Sequence, residues 1–108
     1  MTTYSNASYA VKNVSTSGST AISAIASGTV AVSSLILSNT SASPITVNAY
    51  ITRSSVNYYL VYQATVPTGG SLEAIQGNRV VMQTGDSLTV LASAATSFDA
   101  WVSALTAV

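Results

Sequence analysis

Apolar and polar residues alternate with a period of two along much of the chain. In 45–52, Ile45, Val47, Ala49 and Ile51 fall on one side and Thr46, Asn48, Tyr50 and Thr52 on the other, which predicts a half-buried strand. The stretch 88–93 places Leu88, Val90 and Ala92 together. In 98–105, Phe98, Ala100, Val102 and Ala104 oppose Asp99, Trp101, Ser103 and Leu105, so this strand is apolar on both faces, and 30–37 reads the same way. Strands of that kind lie at the centre of a sheet or against another subunit. Between Val56 and Val66 the run Tyr58-Tyr59-Leu60-Val61-Tyr62 is aromatic and β-branched, as a pleated surface prefers. A strict period of two sets Tyr58 and Tyr59 on opposite faces, with at most one of them in the core, and puts Tyr62 on the side of Tyr58.

Turn chemistry separates these runs. Ser41-Ala42-Ser43-Pro44, Pro67-Thr68-Gly69-Gly70, Gly77-Asn78 and Thr84-Gly85-Asp86-Ser87 are breaks. They recur about every 10 to 20 residues, the rhythm of an antiparallel sandwich and not of βαβ units. Nowhere do apolar residues recur at helical spacing for three turns; residues 21–26 could close one helical turn, but their Ser and β-branched content favours strand or loop. The prediction is an all-β fold: a single antiparallel β-sandwich domain over 1–108, jelly-roll or Ig-like, with about seven or eight strands in two sheets. Residues 1–19 are small, polar and weakly patterned, which fits an extended N-terminal arm.

Composition narrows the function. Only 6% of the residues are charged (Lys12, Arg53, Glu73, Arg79, Asp86, Asp99) and the formal net charge is zero, so the chain lacks the clustered Lys and Arg that nucleic acid or an anionic membrane surface demands. Ser and Thr supply roughly 30% of it, yet the mean hydropathy is +0.46, too apolar for a disordered segment. An apolar chain without net charge lacks the repulsion that keeps proteins apart, which points to a surface covered by other copies or a larger partner. No apolar stretch reaches the length of a membrane-spanning helix. The N-terminal residues carry neither a basic nor an apolar leader region, so synthesis and assembly in a cytoplasm are expected.

Candidate chemistry is sparse. Without His or Cys, nucleophilic triads and zinc sites have no ligands or bases to use, and Lys12, the one base left for a serine, stands in no motif. A carboxylate pair or calcium site would have to come from Glu73, Asp86 and Asp99, which share no short spacing. Their ordinary accounts are a turn residue bonding nearby N–H groups (Asp86), a solvated strand residue (Glu73) and a salt bridge to Arg53 or Arg79 (Asp99). Asn-x-Ser tripeptides at Asn6, Asn13 and Asn39 are what chance supplies in a serine-rich chain. No catalytic residue, cofactor or metal is therefore expected. The candidate interface residues are Tyr58, Tyr59, Tyr62 and Trp101. The tyrosines suit a sugar-stacking platform, a protein interface or a sheet edge. Trp101 suits the core or a subunit contact better than a ligand platform; if buried, its truncation to Ala would cost about 3–5 kcal/mol.

Three segments carry a resemblance. Val32-Ser33-Ser34-Leu35-Ile36-Leu37-Ser38-Asn39-Thr40-Ser41-Ala42-Ser43-Pro44-Ile45-Thr46-Val47 resembles the strand, Asn-Thr-Ser, strand opening of small β-sandwich virion proteins of tailed bacteriophages. Val66-Pro67-Thr68-Gly69-Gly70-Ser71-Leu72 and the later Gln83-Thr84-Gly85-Asp86-Ser87-Leu88-Thr89-Val90-Leu91-Ala92-Ser93 resemble their Val-Pro-x-Gly and Gly-Asp-x-Leu-x-Val segments. The resemblance implies a structural virion protein: a capsid decoration (cement) protein, often trimeric, docked on the major capsid protein and assembled in a bacterial cytoplasm. Its alternative is a tail, neck or fibre component, with the tyrosines as a carbohydrate- or receptor-binding module.

Overall fold

In the computed structural model, residues 4–12, 14, 16–75, 79–94 and 98–107 are described; the Gly77-Asn78 break and Asn13 lie outside them. These residues build nine β-strands: β1 (Tyr4–Val11), β2 (Ser19–Ile22), β3 (Thr29–Asn39), β4 (Ile45–Arg53), β5 (Val56–Val66), β6 (Ser71–Glu73), β7 (Val80–Met82), β8 (Ser87–Ala92) and β9 (Phe98–Ala107). One sheet runs β1-β9-β3-β6, with β7 also on β3, and the other runs β2-β8-β4-β5. No helix among the described residues is long and apolar enough to cross a membrane.

The antiparallel pairs are nested. β4 pairs β5 through a tight hairpin, β3 pairs β6 and β7, β2 pairs β8, and β1 pairs β9. A long double strand of this kind, rolled so that β9 also meets β3 and β8 meets β4, is a jelly roll and not an Ig-like sandwich. The expected seven or eight strands become nine because the strand opposite β3 is split into β6 and β7. The residues expected as an N-terminal arm are also ordered differently: Tyr4–Val11 is an edge strand in eight-residue register with β9. Its pattern is weak because its inward residues Ala7, Tyr9 and Val11 are only half-buried and alanines, Ala7 and Ala10, stand on both faces.

The core lies between the sheets and contains the alternating residues read from the sequence. Val47, Ala49, Leu88, Val90, Phe98 and Val102 are fully enclosed. β3 needed more than alternation. Its pairing with β9 slips one residue between Val32 and Ser34, a β-bulge that reverses which parity faces inward. Val30 and Val32 point in before it, and Leu35, Leu37 and Asn39 after it. Much of the two-faced apolar look of 30–37 is this parity switch.

Type II turns explain two of the glycine motifs. The Gly70 N–H donates to the Pro67 carbonyl and the Asp86 N–H to the Gln83 carbonyl, with Gly69 at φ 72° and Gly85 at φ 94°, the left-handed third position this turn requires. Asn39, 4% exposed, organises the Asn-Thr-Ser turn. Its Oδ1 accepts from the Ser41 N–H (2.8 Å) and hydroxyl (2.7 Å), while its Nδ2 donates to the carbonyls of Ser43 (2.9 Å) and Val66 (3.0 Å).

Candidate assembly surfaces

Five of the six charged residues make contacts that hold the scaffold together. Arg53 closes a two-toothed ion pair on the buried Asp86, donating from Nε (2.9 Å) and Nη2 (2.6 Å), and the Gln83 N–H donates to the same carboxylate (2.9 Å). The Arg53 hydrogen bonds hold the Asp86 carboxyl below the usual carboxylate range, against a desolvation that pushes it up. Glu73, expected as a solvated strand residue, instead braces the β3 bulge: it accepts from the Ser34 hydroxyl (2.7 Å) and from the N–H groups of Leu35 (3.1 Å) and Ile75 (2.9 Å). Asp99, expected opposite Arg53 or Arg79, pairs with Lys12 at 3.1 Å, because the register of β1 on β9 carries Lys12 to it. The three carboxylates thus serve separate structural tasks, and no group of three His, Cys, Asp or Glu side chains lies together among the described residues.

What remains exposed is aromatic and aliphatic. Trp101 points outward on β9 and is 51% exposed, which removes the core from the two expected places and leaves the subunit contact. Its phase is opposite to Ala100 and Val102, so packing of Phe98 and Val102 inward forces the indole out. In register it lies between Ala10 of β1 and Ile36 of β3. The three line a shallow groove of about 250 Å³ that the Lys12–Asp99 pair flanks. Further along the same outer face, Leu105 stands beside Ala31, which is paired in turn with Val81, and both Leu105 and Val81 are exposed. An apolar strip, with the Lys12–Asp99 pair at one end, therefore crosses the outer face of the β1-β9-β3 sheet.

The tyrosines divide in an unexpected way. β5 carries two register irregularities against β4, one between Val47 and Ala49 and one between Ala49 and Tyr50. The second inserts one residue between Tyr59 and Val61, so Tyr59 and Tyr62 share the outer face and Tyr58 takes the other. This reverses the pairing that strict alternation predicts. Tyr50, Tyr59 and Tyr62 form a cluster with ring centroids 5.2 and 5.0 Å apart and interplanar angles of 53° and 85°. Tyr59 and Tyr62 meet edge to face and Tyr50 is tilted against Tyr59, so the three rings do not form one coplanar surface. Tyr58 lies on the inner face beside Ile51, yet is 56% exposed; the core ends before the tip of the β4–β5 hairpin. No tyrosine of the run enters the core. Bulges in β5 were the missing signal, and the run itself, without Gly, Pro or Asn between Tyr58 and Val66, offers no local mark of them.

No protein-family profile matches the chain, and no curated protein matches it in sequence. Solved structures that share its fold include two from assembled particles. One is from the Bacillus endospore appendages described as a family of disulfide-linked pili, with a TM-score of 0.58 and 16% identity, covering 98% of this chain and 88% of that one. The other is VP2 of infectious bursal disease virus in a subviral particle, with a TM-score of 0.61 and 12% identity. It matches over 99% of this chain, which spans about a third of the viral protein's length, 32% of it. At these identities the likeness is one of fold: an all-β jelly-roll sandwich.

Proposed function

We propose that this chain is a non-catalytic structural subunit of a self-assembled particle surface, and within that class a decoration protein on the head of a tailed bacteriophage. The observation that carries the reading is the apolar outer strip of Trp101, Ile36, Leu105 and Val81 on a chain with only six charged residues, four of them joined in two ion pairs. A strip of this kind is a contact surface. The jelly roll supports the class, since the similar structures come from pili and a viral particle. The chain has no cysteine, so its copies would be held by apolar and backbone contacts and not by disulfides. The phage assignment and the trimer, or another small closed oligomer, rest on the sequence resemblance described above. Closed symmetry hides the strip without growing fibres, and the major capsid protein is the docking partner.

Docking through apolar contacts resists raised salt, because few charges are available to be screened. Band intensities from purified particles test the role: hundreds of copies per particle are expected. Tens of copies, with immunogold label on the tail, would replace it by the tail or fibre reading. Loss of binding in 1 M NaCl would contradict the apolar docking.

A further inference from the structure

The two sheets expose four edges, and three of them are blunted against pairing. β2 is four residues long and its register on β8 is interrupted. β6 and β7 are three residues each. β5 is long but carries two irregularities and Gln63 at φ 50°. β1 differs from all of these: eight residues, Tyr-Ser-Asn-Ala-Ser-Tyr-Ala-Val, in unbroken register with β9, without a charge, a proline or a glycine. Among the described residues only β9 pairs with it, and no other backbone group bonds to it. Its far side is a row of N–H and C=O groups with the geometry to add one more strand.

We propose that this edge pairs with the β1 edge of a second copy, antiparallel and about a two-fold axis, so that two β1-β9-β3-β6 sheets become one. The inference rests on the reading of the chain as a self-assembling subunit and names the surface that joins the copies. A second copy is the occupant that the chemistry of β1 fits. The strand carries no charge with which to select a charged partner or repel its own kind. An antiparallel pair of identical strands is self-complementary when inward residues meet inward residues, which places the dyad on a residue pair of one parity. Centred on Ala7, the pairing sets Tyr4 against Ala10, Ser5 against Tyr9 and Asn6 against Ser8 of the second copy. Centred on Ser8, it sets Asn6 against Ala10, Ala7 against Tyr9 and Ser5 against Val11. In the first register each tyrosine meets a small side chain; in the second Tyr9 meets Ala7, while Tyr4 lies opposite Lys12, one residue beyond the strand. In neither does a ring meet a ring. The dyad is perpendicular to the sheet, so the two Trp101 strips face the same way and form one wider contact surface. The contact gives a dimer, or joins two trimers where three-fold closure is also present.

The chain has no native cysteine, so single Cys variants report the contact directly. Ala7→Cys and Ser8→Cys are oxidised in the full-length protein, with Ser71→Cys on the opposite edge as control, and mass is followed by size exclusion with light scattering. The expected result is an even multiple of the 11.0 kDa chain mass, an interchain disulfide at position 7 or 8 and none at 71. Asn6→Lys with Ser8→Lys should at least halve that mass, circular dichroism confirming that the fold persists; if this variant fails to fold, the cross-link decides. Assembly that survives the lysines and gives no cross-link at 7 or 8 overturns the β1 contact but leaves the assembly reading standing. Assembly lost to the lysines without any cross-link overturns the two-fold pairing. A wild-type monomer at every concentration up to hundreds of micromolar overturns both.

Discussion

Phe98 and Trp101 sit three residues apart on β9 and do opposite things. Phe98 is fully buried between the sheets, whereas Trp101 faces out. Phe98→Ala should therefore cost about 3–5 kcal/mol, transfer and cavity terms together, while Trp101→Ala should leave the stability of the isolated chain within about 0.5 kcal/mol of the original. Urea unfolding of both variants measures this; a Trp101→Ala loss as large as that of Phe98→Ala would place the indole in a buried contact. Asp86 adds a pH dependence. Its carboxyl titrates below its ordinary 3.8 when folded, chiefly through the Arg53 hydrogen bonds, so the unfolded chain takes up the proton first as pH falls. The stabilisation is then complete above about pH 3.8 and drains away as pH drops through the lower folded value. Arg53 is 47% exposed, so solvent screens part of the pair. Wild type should be more stable than Asp86→Asn at pH 7, and the gap should close in acid. An equal gap at pH 7 and pH 2.5 would show that the carboxylate charge contributes nothing.

The elements were legible wherever period and turn chemistry acted alone. β4, β8 and β9 follow their alternation, and the Pro-Thr-Gly-Gly and Gly-Asp turns stand where glycine is needed at positive φ. Two kinds of information were not local. The bulges at Ser33 and along β5 depend on what the partner strand does, so they changed the facing of Ile36 and of the tyrosines without leaving a sequence mark that alternation could read. β1 was hidden because none of its residues is fully buried and alanines stand on both of its faces, so apolar and polar positions hardly contrast. The turns themselves can be tested. A Cβ built at Gly85 meets nothing within 4 Å, so Gly85→Ala should cost only its backbone strain, about 1–2 kcal/mol. The β4–β5 hairpin offers the converse. Ser54 and Ser55 take φ values of 53° and 64°, the type I′ pattern that Asn-Gly fills best. Replacing the pair by Asn-Gly should stabilise the protein by roughly 1 kcal/mol or more, read as a higher melting temperature. No gain would mean that the serines relax this turn by another route.

At the scale of the molecule, the nested pairing sets how the chain must fold. The hairpin β4–β5 closes locally, but β3 pairs β6, β7 and the still more distant β9, and Tyr4 of β1 pairs Ala107 of β9, the first and last described positions. Each outer pair can form only after the chain between its ends is already ordered, so most loop-closure entropy is lost before the long-range contacts repay it. Folding should accordingly be slow for a chain of this size, in the range of milliseconds to seconds, as for other all-β sandwiches. β1 and β9 would close last, with the turn of β4–β5 already made. Substitutions at the hairpin turn should then change the refolding rate, whereas Ala7→Gly on β1 should act almost wholly on unfolding. Stopped-flow circular dichroism across a urea series separates the two limbs. A β1 substitution that slows refolding in proportion to its loss of stability would mean that the chain ends meet early, and that the roll does not wind outward from the hairpin.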